Sequence, residues 1–357
     1  MKLVIPLAAL AATLAASVQA ATPTLYVFGD SLSDIGTLQQ LTLGLIPPPP
    51  YWKGRFSSGP VWNEYLAPLL GYNLYNKAIG GATSDNIDAS VLNLVPLMPI
   101  NIPSCQNQID FFKAINPLYA LSPSRNDDIA VLEIGANDFF AKVFKMATNT
   151  LTVDSFINTL SSAVLSQLEQ LRRIGFKNFV IPDMAYIQHT PFAKLLKVES
   201  IANTTVIRYN NMLTTKINSW ASTAQGLGFV AIAPIGKFVE VTALSPTVSQ
   251  ALGLTDVTTS CVGGNFLNLL QADNKMIALL DLVLNADENV MCDNPSTNYF
   301  FDIVHPAERV QRLFGYFAKS VVDAARKGQA FEMSEANILS LIKTYGLNTP
   351  APKPARV

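Results

Sequence analysis

The chain has 357 residues, with 25 basic and 26 acidic side chains, a formal net charge of −1 and an apolar content of 49%. Charges spread this evenly exclude a surface built for nucleic acid or a polybasic membrane anchor, while the apolar content suffices for a sizeable core. Lys2, the apolar Ala-rich run from Leu3 to Ser17 and the small residues of Val18-Gln19-Ala20 read as an export signal over residues 1–20, so the protein is expected to be secreted. No later segment holds ~18 uninterrupted apolar residues, and no stable membrane insertion is expected. In an oxidising compartment Cys261 and Cys292 are the expected disulfide, since both sit in one Gly- and Asn-rich stretch; Cys105 is then free or pairs between chains. Asn203-Thr204-Thr205 is an N-glycosylation acceptor only in a eukaryotic secretory route.

The apolar run from Leu25 to Phe28 stops at Gly29-Asp30-Ser31. This reads as a first strand ending in a tight turn that lifts the Ser31 hydroxyl to the carboxyl edge of a sheet, where open α/β folds put their chemistry. Thr37 to Gly54, with Pro47 to Pro50, reads as an extended surface excursion forming a wall of the cleft. A helix is expected over Pro60–Leu70, stopped by Gly71 or a turn earlier by Pro68. Tyr72–Tyr75 is a second strand that leads to Gly80-Gly81, and residues 86–106 read as loop with a short helix. Asp128–Ile134, with the run Ile129 to Leu132, is a third strand covered on both faces. Phe156, Leu160, Val164, Leu168 and Leu171 mark a helix over Asp154–Ile174, followed by a fourth strand at Phe179–Ile181. The stripe from Val206 to Trp220 marks another long helix, and Phe229–Ala233 a fifth strand. Strands alternating with helices imply a three-layer α/β/α fold around a parallel, five-stranded flavodoxin-like sheet with right-handed crossovers. Residues 240–300 break the rhythm. They are read as a loop-rich insertion with one helix, Phe266–Leu284, packed over the site within a single domain spanning 21–346. Pro306 opens a closing helix carrying Val310, Leu313, Phe314 and Phe317, and residues 347–357 form a Pro-rich tail expected to be disordered.

A serine hydroxyl is a poor nucleophile until a base takes its proton. The chain offers two histidines, His189 and His305. Imidazole suits the task because it titrates near neutrality, and Asp302, three residues before His305, is placed to hold its tautomer. His189, in Gln188-His189-Thr190-Pro191, has no orienting carboxylate nearby and reads as a surface-loop residue.

Four blocks occur in order: Gly29-Asp30-Ser31-Leu32-Ser33-Asp34, Asn76-Lys77-Ala78-Ile79-Gly80-Gly81-Ala82-Thr83, Gly135-Ala136-Asn137-Asp138 and Asp302-Ile303-Val304-His305-Pro306. With them the chain resembles the GDSL esterases and lipases of the SGNH hydrolase superfamily. Tyr51 to Leu66, with Arg55-Phe56-Ser57-Ser58-Gly59-Pro60-Val61-Trp62, resembles the segment after the first block in secreted members. The resemblance implies a secreted serine ester hydrolase acting through an acyl-Ser31 intermediate, with Asp302 and His305 as partners and no cofactor or metal. It also implies oxyanion donors at the Ser31 and Gly81 backbone N–H and the Asn137 amide; Gly80 competes closely with Gly81, which is preferred for its spacing to Thr83. The substrate is then a small-molecule, lipid or carbohydrate ester, with short to medium acyl chains preferred. A polysaccharide acetyl esterase and a lipid acyltransferase stay open on the same site. The rival from another class is a non-catalytic flavodoxin-like binding protein whose Gly29–Ser33 turn holds an anion. Asp30 and Asp34 are expected to bind turn amides rather than a metal, and Tyr51, Trp52, Phe139 and Phe140 to line a pocket or fill the core. Gly226-Leu227-Gly228 precedes its strand and so fails as a dinucleotide loop, and no Gly-x-Ser-x-Gly elbow occurs.

Overall fold

The short apolar runs pair as five parallel strands: β1 (Thr24–Gly29), β2 (Asn73–Asn76), β3 (Ile129–Glu133), β4 (Asn178–Pro182) and β5 (Val230–Ala233). Their order is β2-β1-β3-β4-β5, the flavodoxin-like doubly wound arrangement, with Val27 opposite both Asn76 and Val131. The computed structural model describes residues 21–86, 91–93, 99–121, 125–263, 275–284 and 290–349, so the expected export signal and residues 350–357 of the tail lie outside it. The helices that flank the sheet are α1 (Trp62–Leu70), α2 (Cys105–Ile115), α3 (Ala136–Ala147), α4 (Val153–Ile174), α5 (Glu199–Thr223), α6 (Ile235–Leu244), α7 (Lys275–Leu284), α8 (Glu308–Ala325) and α9 (Glu335–Tyr345).

Because side chains alternate along a strand, each strand feeds two cores. Tyr26, Phe28, Ala130, Leu132, Phe179 and Ile181 face one layer with Phe112 of α2, Leu160 of α4 and Tyr209 of α5. Leu25, Val27, Ile129, Val131 and Val180 face the other, with Trp62 of α1 and Leu313 and Phe317 of α8. In this topology the strand order reverses between β1 and β3, and the crevice at their carboxyl ends is where a ligand fits. Among the described residues no helix is long and apolar enough to cross a membrane.

Several elements differ from the sequence expectation. α1 starts at Trp62 and runs through Pro68 to Leu70, capped by Gly71 at φ 73°; so close to the helix end, the missing N–H removes a single bond. The stretch 86–106 holds an antiparallel pair, Val91–Asn93 with Pro99–Asn101, and then the start of α2, whose Asn107 N–H is capped by the Ser104 side chain. The excursion after Ser31 begins with a short helix, Thr37–Leu41, ahead of the prolines. Within 240–300 the chain forms the second half of α6, the helix Pro246–Leu252, and a parallel pair of Asp256–Ser260 with Asn298–Phe300. Of the helix expected over Phe266–Leu284 only Lys275–Leu284 is described. Residue 347 does not begin the tail: Leu347 is buried and its carbonyl accepts from Arg312, so the packed chain continues to Thr349.

Candidate active site

β1 turns away at Gly29, where a Cβ would lie 2.2 Å from the Glu133 carbonyl oxygen. Only glycine lets β1 hug β3 to its last residue and then turn. The turn that follows is held by its acids. Asp30 Oδ1 accepts from the Leu32 N–H at 3.1 Å. Asp34 Oδ1 accepts from Gly36 and Thr37, and its Oδ2 from Leu38 at 3.0 Å and from Gly80 at 2.8 Å. Asp34 therefore ties the Ser31 loop to the Gly80-Gly81 loop. Burial, with Glu133 beside it, pushes the Asp30 carboxyl well above its ordinary range, and burial raises Glu133 to about 7.

His305 enters from the loop before α8. Its Nε2 lies 2.7 Å from Ser31 Oγ and its Nδ1 2.6 Å from Asp302 Oδ2. Asp302 Oδ1 accepts the backbone N–H of Val304 at 2.9 Å and of His305 at 2.7 Å. Burial works against the charge on Asp302, but His305 and these donors outweigh it and hold the carboxyl below its usual range. A carboxylate at Nδ1 fixes the proton there and leaves Nε2 to accept the Ser31 hydroxyl. The histidine loop is clamped by the segment after the prolines. Phe56 packs 5.1 Å from the His305 ring, Ser57 Oγ donates to the Pro306 carbonyl at 2.9 Å, and Ser58 Oγ accepts the Glu308 N–H at 3.0 Å.

The Gly80 N–H is committed to Asp34, whereas Gly81, at φ 80°, lines the cavity beside Ser31 and Asn137. Asn137 stands in the first turn of α3 and its Nδ2 donates to the Ala82 carbonyl at 2.8 Å, which leaves the second amide hydrogen. The positive end of the α3 dipole adds to the potential that an oxyanion would meet. Asp138 binds back to the Ser84 N–H at 2.9 Å and its hydroxyl at 2.6 Å, with burial raising the carboxyl to about 7.

Two largely apolar cavities meet at Ser31, Asn137, Phe140 and His305. One is walled by Tyr51, Phe56, Gly81, Val262 and, from α7, Leu279 and Val283. The other is walled by Leu32, Ile187, Phe238, Val239, Tyr299 and Phe314. Phe140 thus faces both, Phe139 is core, and Trp52 stacks under Lys53 and Arg55 outside either cavity. His189 ends the turn Ile187–His189 with its ring 6.2 Å from Tyr186 and lines neither cavity. Asn203 is exposed on α5, where its side chain accepts from Gln188 at 3.2 Å. Cys261 and Cys292 form a disulfide with Cα atoms 4.8 Å apart, closing the segment that carries α7, and Cys105 is a buried free thiol. Sequence reasoning missed one contact at the centre: Tyr51 Oη donates to Asp302 Oδ2 at 2.7 Å. The family-like segment beginning at Tyr51 was its only signal.

The sequence profile described as GDSL-like Lipase/Acylhydrolase matches residues 25–316. The phosphatidylcholine-sterol acyltransferase of Aeromonas hydrophila is 28% identical over 68% of this chain and 66% of its own, so the chain spans just under two thirds of that relative. GDSL esterase/lipase 6 of Arabidopsis thaliana is 22% identical over 82% of this chain and 84% of its own. Among solved structures, the lipase Lip_vut3 from a goat rumen metagenome aligns with a TM-score of 0.40 at 9% identity, over 84% of this chain and 97% of that one.

Proposed function

The chain belongs to the GDSL-like lipase/acylhydrolase family, and on that premise we propose that Ser31, His305 and Asp302 hydrolyse carboxylic esters through an acyl-Ser31 intermediate. The observation that carries this reading is the unbroken relay from Asp302 to His305 to Ser31, at 2.6 and 2.7 Å. His305 Nε2 takes the Oγ proton as Oγ attacks the carbonyl carbon, and Asp302 steadies the imidazolium that forms. The carbonyl oxygen gains charge against the Ser31 and Gly81 N–H groups and the Asn137 amide, each such donor worth ~3 kcal/mol of barrier. The imidazolium then gives its proton to the departing alkoxide. Water repeats the sequence on the acyl-enzyme, with His305 again as base, and the acid leaves.

The cavity walled by the rings of Phe238, Tyr299 and Phe314 supports a preference for short to medium acyl chains. An anion-holding turn is the poorer reading, because the Ser31 hydroxyl is engaged by His305 rather than left for a ligand. The test is release of p-nitrophenol from esters running from acetate to palmitate by wild type and Ser31→Ala side by side. Turnover by the wild type alone, peaking at short to medium chains, supports the reading; equal release by both refutes it. A second reading, acyl transfer to an alcohol, is favoured by the pairing of two cavities at one serine, which gives acyl chain and acceptor separate seats. It predicts that an added alcohol diverts product from acid to new ester. The disulfide and the signal-like residues 1–20 support secretion, which predicts that protein recovered from the medium begins at Ala21.

A further inference from the structure

Asp302 Oδ2 receives two donors, His305 Nδ1 at 2.6 Å and Tyr51 Oη at 2.7 Å, while Oδ1 receives two backbone N–H groups. Three of the four donors come from the Asp302–His305 loop itself; the fourth comes from a residue 251 positions away. We propose that Tyr51 is a positioning residue for the His–Asp pair: its hydroxyl fixes the rotation of the Asp302 carboxylate and tempers its basicity toward His305. The inference rests on the esterase reading of the site and adds a residue to it.

Tyr51 is built to hold that place. Its ring is buried, lies edge-on to Phe301 at 5.2 Å and to Phe56 at 6.0 Å, and its backbone N–H is bound to the Pro48 carbonyl at 3.0 Å. Burial and the charge of Asp302 push the phenol well above its ordinary pKa, so it remains a donor wherever ester hydrolysis is assayed. Its single proton is committed to Asp302, which excludes it as an oxyanion donor. The titratable groups facing His305 are Asp302, Tyr51 and, from the nucleophile turn, Asp30 with Glu133 behind it; Glu308 at the start of α8 is engaged by Tyr65 and Arg312.

Tyr51→Phe keeps the ring and removes only the donor. Without it more negative charge rests on Oδ2, the imidazolium is favoured, and the neutral base is lost at a higher pH. The acid limb of the kcat/KM profile is expected to move up by about half to one pH unit, and kcat to fall about tenfold with KM within twofold. The downfield proton resonance of His305 Nδ1–H is expected to shift; with only two histidines in the chain, His189→Gln assigns it. Phe301→Leu disturbs the same aromatic packing but keeps the hydroxyl, and is expected to lower stability while leaving limb and resonance in place. Should Tyr51→Phe not fold, 3-fluorotyrosine at position 51, a stronger donor, is expected to move both readouts the opposite way. An unmoved limb and resonance in Tyr51→Phe, or the same changes in Phe301→Leu, overturns the proposal. A wild type that turns over no ester, but whose resonance responds to Tyr51→Phe, overturns the esterase reading and leaves the positioning role standing.

Discussion

Asp34→Asn tests how far the nucleophile loop and the Gly80-Gly81 loop are one unit. The Asp34 carboxylate accepts four backbone N–H groups, two on each oxygen. An amide keeps one oxygen and turns an NH2 toward the other two N–H groups, so whichever way it lies two acceptor bonds are lost and donors face donors. Hydrogen bonds to a charged group are each worth about 1.5–3 kcal/mol. Against that loss stands a gain, since burial raises the Asp34 carboxyl above its ordinary range and a neutral amide is cheaper to bury. The net cost is about 3 kcal/mol, a large share of the ~5–15 kcal/mol that holds a domain. Releasing the Gly80 N–H also loosens Gly81, and displacing this proposed oxyanion donor is expected to lower kcat by about 10–100-fold. Urea unfolding at constant m and p-nitrophenyl butyrate kinetics read the two effects. A stability loss under about 1 kcal/mol, or a rise in KM with kcat intact, would refute the coupling.

If the proposed oxyanion role holds, Asn137→Ala is expected to lower kcat by about 10²-fold with little change in KM, because the amide would then meet charge that exists only in the transition state; a KM effect alone would argue for simple substrate binding. Burial raises Asp183 to about 7, with the Gly236 N–H at 2.8 Å only partly offsetting it. A carboxyl raised on folding binds more protons folded than unfolded, so its contribution is fully present below about pH 4 and lost as pH rises through about 7. Asp183→Asn should therefore raise stability at pH 8 by on the order of 4 kcal/mol and give no gain at pH 4, and equal gains at both in thermal unfolding would contradict this. Cys261→Ser with Cys292→Ser opens a loop of 31 residues and should cost about 4 kcal/mol, matched by reduction of the wild type; no shift in either experiment would show that the loop is already constrained.

What could be read from the sequence was what repeats locally. Four of the five strands are short apolar runs, β2 with Asn73 and Asn76 being the exception, and the long helices α4 and α5 carry clear stripes, so most of the sheet and its layers follow from local pattern. Ser31, Asp302 and His305 were legible because each sits in a short block at the end of an element, where backbone geometry narrows the choice of residue. α6 was hidden because Val239, Val241 and Thr242 favour strand locally, and burial of Ile235 and Phe238 against the second core decides otherwise. α3 was hidden because its first turn is occupied by the Gly135–Asp138 block, and the adjacent Phe139 and Phe140 read as a run rather than a stripe.

The contacts of Tyr51, Ser57 and Ser58 had no local signal beyond the family-like segment that holds them, for a different reason. Their partners Asp302, Pro306 and Glu308 lie about 250 positions along the chain, and nothing in a Pro-rich excursion marks which side chain will meet them. Ser31, Gly81 and Asn137, the proposed nucleophile and oxyanion donors, follow the neighbouring strands β1, β2 and β3, so their alignment follows from strand pairing. His305 arrives on the loop that follows the short strand Asn298–Phe300, whose end it meets again where the Phe301 N–H donates to the His305 carbonyl and the Ala307 N–H to the Tyr299 carbonyl, both at 2.8 Å. Residues 51–58 pin it further, through a phenol, two hydroxyls and an aromatic ring at Phe56. The excursion therefore walls the cavity, as expected, through Tyr51, and together with residues 55–58 it also holds the His305 loop in place.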